Sequence, residues 1–172
     1  MDSWLDPVKT EISLNNGFVL LTIIATKGST PCTNGDKIVF TKNENSFGSI
    51  GGGNLEFKSL AFAKEMLGQK TNTRQLVKYP LGATLGQCCG GYVKVLFESF
   101  IEDDEDLSHN NSWIEQVSAL YKKGEDFILA TIIDIDKKNH SSTQKCIYTN
   151  NNFHSSIAVS YTHLTLPTNR EV

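Results

Sequence analysis

Apolar positions three and four apart define the first element. Trp4, Leu5, Val8 and Ile12 recur at helical spacing within residues 3–16, Pro7 is tolerable in the first turn, and Gly17 is a stop. The run "FVLLTIIA" (18–25) is continuous, short and β-branched, which predicts a buried strand. "KGSTPCTNGDK" reads as a loop, "KIVFT" as a strand and "KNENS" as a turn. "FGSI" predicts a short strand that runs into Gly51-Gly52-Gly53. A helix starts at Asn54, where Leu55, Leu60, Phe62, Ala63, Met66 and Leu67 form an apolar face, and Gly68 ends it. "RQLVKY" and "YVKVLFESF" predict strands on either side of "LGQCCGG". The acidic stretch "IEDDEDLSHNNS" is expected to be a solvated linker rather than a metal site.

The chain also repeats itself. Residues 3–26 align without gaps with 112–135, and Ser3, Trp4, Val8, Phe18, Leu20, Thr22, Ile23 and Ile24 recur 109 positions later. Beyond a shorter loop, "KCIYT" (145–149) echoes "KIVFT", and "FHSSI" (153–157) echoes "SFGSI". Any two helix–strand units share some pattern, but the paired tryptophans and the Phe-x-Leu-x-Thr-Ile-Ile string favour duplication. The expected fold class is α+β: a mixed β-sheet with packed helices, built from two helix–strand–strand repeats. The domain is expected over residues 1–157, with the second repeat (112–157) incomplete. Residues 158–172, "AVSYTHLTLPTNREV", have no apolar period and are expected to be a non-native read-through tail.

Composition narrows the partners. The 172 residues carry 16 basic and 19 acidic side chains, a net charge of −3, with no basic stripe, which argues against nucleic acid. The apolar runs are too short to span a bilayer, so no membrane partner is expected. "MDSWLDPVK" lacks the apolar core of a secretory signal, so a cytoplasmic location is expected. There Cys32, Cys88, Cys89 and Cys146 would be reduced thiols. Their spacing matches no zinc motif.

Two glycine corners carry the candidate chemistry. In "GSIGGGNLE" the glycines lead straight into a helix, so backbone N–H groups and the helix dipole can receive an anion. Ser49 and Asn54 add polar groups. A bare strand-to-helix turn explains the same residues equally well. Ser29 and Thr30, set between Gly28 and Pro31, offer two hydroxyls beside the first strand, or an ordinary turn. In "GQCCGG" one of Cys88 and Cys89 at most faces a given pocket, because neighbours in an extended chain point opposite ways. Gln87 adds amide donors and a carbonyl, and Gly86, Gly90 and Gly91 permit close backbone approach. A soft thiolate there suits a soft metal, a sulfur ligand or redox chemistry. Buried structural thiols remain the bland alternative.

Taken in order, "ATKGSTPCTNGDKIVF", "FGSIGGGNLE" and "LGQCCGGYVKVLFE" resemble the N-terminal domain of the xanthine dehydrogenase accessory family, the XdhC/CoxI type. The resemblance is strong over about residues 15–100 and weak over 112–157. It implies a chaperone that transiently binds the molybdenum cofactor (molybdopterin), protects it, supports its sulfuration and delivers it to an apo molybdenum hydroxylase. A cysteine desulfurase is the implied second partner, a homodimer is implied, and no catalysis of its own. The cofactor-binding residues would be Ser29, Thr30, Ser49, Gly51, Gly52, Gly53, Glu56, Gln87, Cys88, Cys89, Gly90 and Gly91. Cys88 or Cys89 would be the metal contact. Glu56 is read either as a helix cap or as a ligand-orienting carboxylate.

Two departures stand out. Cys32 occupies the place where relatives commonly carry Arg, which removes a fixed charge useful for phosphate. Full-length relatives usually add a C-terminal Rossmann-like domain, and without such a segment this chain is expected not to bind dinucleotides. Two other readings stay open: a thiol-dependent redox enzyme using Cys88 or Cys89, and an interaction module that binds no cofactor.

Overall fold

A computed structural model of the chain describes residues 4–69, 71–82, 91–101, 112–131, 145–149 and 153–155. In chain order the elements are α1 (Leu5–Ser13), β1 (Phe18–Lys27), β2 (Lys37–Thr41), β3 (Ser46–Gly48), α2 (Gly53–Leu67), β4 (Arg74–Pro80), β5 (Tyr92–Phe100), α3 (Ser112–Lys123), β6 (Phe127–Thr131), β7 (Lys145–Thr149) and β8 (Phe153–Ser155). The class is α+β, as expected from the element pattern. One sheet has the order β3-β2-β1-β5-β4 and a second has the order β6-β7-β8. Where a single mixed sheet was expected, there are two, and every described strand pair is antiparallel. The reason is connection length. Short loops join β1 to β2 and β2 to β3, and short connections give hairpins, whereas parallel pairing needs a long crossover.

The repeat seen in the sequence is a repeat of structure. In the first copy Phe18 lies opposite Thr41 and Thr22 opposite Lys37. In the second, Phe127 lies opposite Thr149 and Thr131 opposite Lys145. The third strands follow suit, with Val39 opposite Phe47 and Ile147 opposite His154. Corresponding residues of the two copies also meet each other. Trp4 stacks on Trp113 with ring centroids 6.2 Å apart, and Lys9 donates to the Ser118 hydroxyl at 3.2 Å. Contact between equivalent positions is the mark of a two-fold, self-complementary interface, here formed within one chain.

Strand alternation feeds two cores. Val19, Leu21 and Ile23 of β1, with Ile38, Phe40, Val93, Val95 and Phe97, pack beneath Leu55, Ala63 and Met66 of α2. Phe18, Leu20 and Val39 face the other way and meet Val8, Phe100, Trp113, Val117 and Ile147 at the junction of the two repeats. Glu98 follows the same alternation into that junction. Its carboxylate Oε2 accepts from Lys145 Nζ at 2.9 Å, with the two side chains 1% and 2% exposed. Lys145 also donates to Thr131 Oγ1 at 2.9 Å and lies over the Trp113 ring. Its counterpart in the first repeat, Lys37, lies over Trp4 and donates to the Gly35 carbonyl. Burial, and then the nearby Lys145 charge, pull the Lys37 amine below the ordinary lysine value, against an opposing effect of Glu98 and Asp36.

The two copies differ in what covers them. Val19 is fully buried beneath α2, while its counterpart Ile128 is 59% exposed. Among the described residues no helix lies over the second sheet as α2 lies over the first.

Candidate functional site

The sequence places the Gly-Ser-Thr-Pro loop, the triple glycine and the cysteine motif far apart, and the fold brings their described parts together. The loop between β1 and β2 is the centre. A side chain added at Gly51 would press on Pro31, whose Cγ lies 2.8 Å and whose carbonyl oxygen lies 2.9 Å from the position it would take. A side chain at Gly91 would collide with the Lys27 carbonyl oxygen and come within 3.3 Å of the Ser29 carbonyl. Residues 27–31 are therefore wedged between the triple-glycine corner and the downstream root of the cysteine loop. That root is pinned by the Leu81 N–H, which donates to the Gly91 carbonyl at 2.9 Å. Gln87, Cys88, Cys89 and Gly90 lie outside the described residues.

The triple glycine adopts the strained form its composition permits. Gly51, Gly52 and Gly53 have φ of 101°, 70° and 63°, the left-handed region that glycine enters without penalty. α2 starts at once, so its positive end lies at this corner. The corner already holds a carboxylate, that of Glu56. Glu56 Oε2 accepts from the Ser49 hydroxyl at 2.9 Å, from the Ile50 N–H at 3.1 Å and from the Gly52 N–H at 3.1 Å. The Gly51 N–H donates to the Ser49 hydroxyl at 3.2 Å. Of the two readings of Glu56, the geometry here is that of a cap, with the side chain reaching back over the N-terminus of its own helix. The amides offered by the sequence as an anion cradle are thus taken by an anion from the same chain. Glu56→Gln is expected to lose about 1–2 kcal/mol of stability, because an amide oxygen replaces a charged acceptor shared by three donors. Urea unfolding measures it, and an unchanged midpoint would contradict this role.

Space remains around the corner. Ser29, Ser49, Gly51 and Gly53 are exposed, and nothing among the described residues lies within 4 Å of where a Gly52 side chain would project. The Thr30 hydroxyl turns inward and donates to the Cys32 carbonyl at 2.9 Å. Cys32 itself is buried in the core beneath α2. Burial first, and then the negative charge of Asp36, push its thiol above the ordinary cysteine value. Cys32 therefore stays a protonated thiol at neutral pH. Iodoacetamide should modify it on the order of tenfold more slowly than a free thiol, with the difference erased by unfolding. Peptide mass spectrometry across a pH series reads this out.

The profile of the XdhC and CoxI family matches residues 12–80, a stretch that contains the Gly-Ser-Thr-Pro loop, the triple glycine and α2. This part of the chain is similar to the XdhC and CoxI family. The crystal structure of a xanthine dehydrogenase from Bacillus halodurans is similar, with a TM-score of 0.66 and 19% identity over 96% of this chain and 47% of that one. That likeness establishes the fold. The chain spans about half the length of that protein. No curated protein matches the chain.

Sequence reasoning missed the Glu98–Lys145 pair, which lies 47 positions apart. One signal was available. Lys37 and Lys145 open equivalent strands of the repeat, and two lysines brought to one interface call for a carboxylate. No helix of the described chain is long and apolar enough to cross a membrane.

Proposed function

We propose that the domain is an accessory factor that holds the molybdenum cofactor in the cytoplasm for delivery to an apo molybdenum hydroxylase of the xanthine dehydrogenase type. The observation that carries this reading is the convergence of residues 27–31 with Gly51 and with Gly91. One surface then joins exposed hydroxyls, a helix N-terminus and the root of the loop that bears Cys88 and Cys89. That donor set suits a ligand with a phosphate at one end and a soft metal–sulfur group at the other. Ser29 and Ser49 would hold the phosphate end, with Thr30 behind them. The Gly51–Gly53 backbone would let it approach closely, and a phosphate reaches the Ile50 and Gly52 amides only by taking the place of the Glu56 carboxylate. Gln87, Cys88 and Cys89 would meet the metal end, with Gly90 and Gly91 keeping the backbone slim. The cofactor supplies the oxo and sulfido chemistry of the hydroxylase, and this chain binds, shields and releases it. A cysteine desulfurase is the sulfur-donating partner in this reading.

The test is anaerobic. The chain and its Cys88→Ala and Cys89→Ala variants are mixed with released molybdenum cofactor and desalted, and molybdenum per chain is counted by elemental mass spectrometry. Near-stoichiometric retention that falls in one variant is the expected result. Folded protein that retains no metal would overturn the reading, and a strongly acidic thiolate in the same sample would favour a thiol enzyme instead.

A further inference from the structure

One short stretch touches both corners of the candidate site. Residues 27–31 meet the triple glycine through Pro31, and the root of the cysteine loop through the Lys27 and Ser29 carbonyls. Both meetings are close. A Gly51 side chain would lie 2.8 Å from Pro31 Cγ and 2.9 Å from both Pro31 Cβ and the Pro31 carbonyl oxygen. A Gly91 side chain would collide with the Lys27 carbonyl oxygen. Backbone meets backbone at Gly91, and a closed pyrrolidine ring meets backbone at Gly51, so neither contact is relieved by a change of rotamer. Groups packed in this way pass a displacement on rather than absorb it.

The stretch is held at each end. Upstream, Thr26 lies opposite Val93 and Lys27 opposite Tyr92 on β5. Downstream, the Thr30 hydroxyl donates to the carbonyl of Cys32, which is buried in the core beneath α2. The Thr33 N–H and hydroxyl then donate to the two carboxylate oxygens of Asp36 at 2.8 and 3.0 Å. Gly91 is fixed in turn, since its carbonyl accepts from the N–H of the fully buried Leu81. Pro31 itself is exposed, although its neighbour Cys32 is buried. Its ring adds little to the core, and its described contact is with the glycine corner.

We infer that Pro31 is a positioning residue: it sets where the triple-glycine corner stands relative to the root of the cysteine loop, so that a change at one corner is felt at the other. A ligand that spans both corners is then read at a fixed separation, its two ends placed together rather than one at a time. Coupling of this kind runs through contiguous packed groups, here Gly51, Pro31, Ser29 and Gly91. The use assigned to it rests on the function proposed above. The coupling itself is measured without cofactor, so the two fail separately.

The probe is iodoacetamide, applied to the whole chain and resolved by peptide mass spectrometry. It compares Cys88 and Cys89 with Cys146, which is buried on β7 of the second sheet and reports any general opening of the fold. Pro31→Gly is expected to raise the rate at Cys88 or Cys89 by at least about threefold, with Cys146 unchanged. Pro31→Ala, which keeps Cβ, should fall between that variant and wild type. Gly51→Ala presses on Pro31 from the other corner and should also change the rate. The double variant Pro31→Gly/Gly51→Ala should change it no further than the larger single effect, because both act through one contact. Unchanged rates at Cys88 and Cys89 in Pro31→Gly overturn the inference. So do independent, additive effects of the two substitutions. A rise matched at Cys146 would assign the effect to general loosening, and overturns it as well. If Gly51→Ala does not fold, the two Pro31 variants decide alone.

Discussion

Lys145→Met is expected to destabilise the chain by about 3–5 kcal/mol, the largest loss among single substitutions considered. The lysine is one half of a buried pair, and its removal strands the other half. Glu98 Oε2 loses its 2.9 Å donor, and among the described residues Glu98 Oε1 already has no hydrogen-bond partner. An uncompensated carboxylate at the junction of the repeats pays the full desolvation cost, where the paired one recovers most of it. Thr131 loses its contact with the ammonium, and Trp113 loses the cation over its ring. The double variant Lys145→Met/Glu98→Leu is therefore expected to recover most of the loss, because a matched apolar pair replaces a matched ionic one. Urea unfolding of wild type, single and double variants checks this as a cycle. A single variant within 1 kcal/mol of wild type, a margin of about the size of an exposed ion pair, would show that the charges are not dry.

Gly91→Ala is expected to lose about 1–3 kcal/mol and, with it, cofactor retention. The cost is steric and local. The added methyl would meet the Lys27 carbonyl oxygen at a separation real side chains do not show, and the obstacle is backbone, which cannot rotate away. The loop 27–31 or the root of the cysteine loop must shift, and either movement pulls apart the surface on which the proposed function rests. Gly82→Ala is the control. It sits at the other root of the same loop, yet nothing among the described residues lies within 4 Å of the added atom, and a change within about 0.5 kcal/mol is expected. Equal losses at both positions would show that the loop tolerates no change at all, and would remove the argument for a specific contact at residue 91. Thermal melts paired with the molybdenum count separate the stability effect from the binding effect.

Much of the fold was legible because its signals are local. β2 and β5 fall on "KIVFT" and "YVKVLFESF", and α2 runs from the triple glycine to Gly68, since strand alternation, helical spacing and glycine stops act over a few residues. The first helix is shorter than its pattern, Leu5–Ser13 within residues 3–16. The repeat was legible because a duplicated unit keeps its core positions. The candidate site was legible in part. Its residues could be named, but their convergence through Pro31 and Gly91 could not, and neither could the capture of the cradle by Glu56. The expectations at Gln87, Cys88, Cys89 and Gly90, along with the linker and the tail, fall outside the described residues.

By itself the sequence determined the elements, their duplication and the positions of three glycine-rich or hydroxyl-bearing motifs. These depend on side-chain period and backbone freedom, which neighbours in the chain settle among themselves. Only the tertiary structure decided that equivalent faces of the two repeats bury each other. It also decided that Glu98 and Lys145 pair across the junction. Those outcomes rest on which surfaces lose water together. That depends on residues tens of positions apart meeting in space, and no local pattern records it.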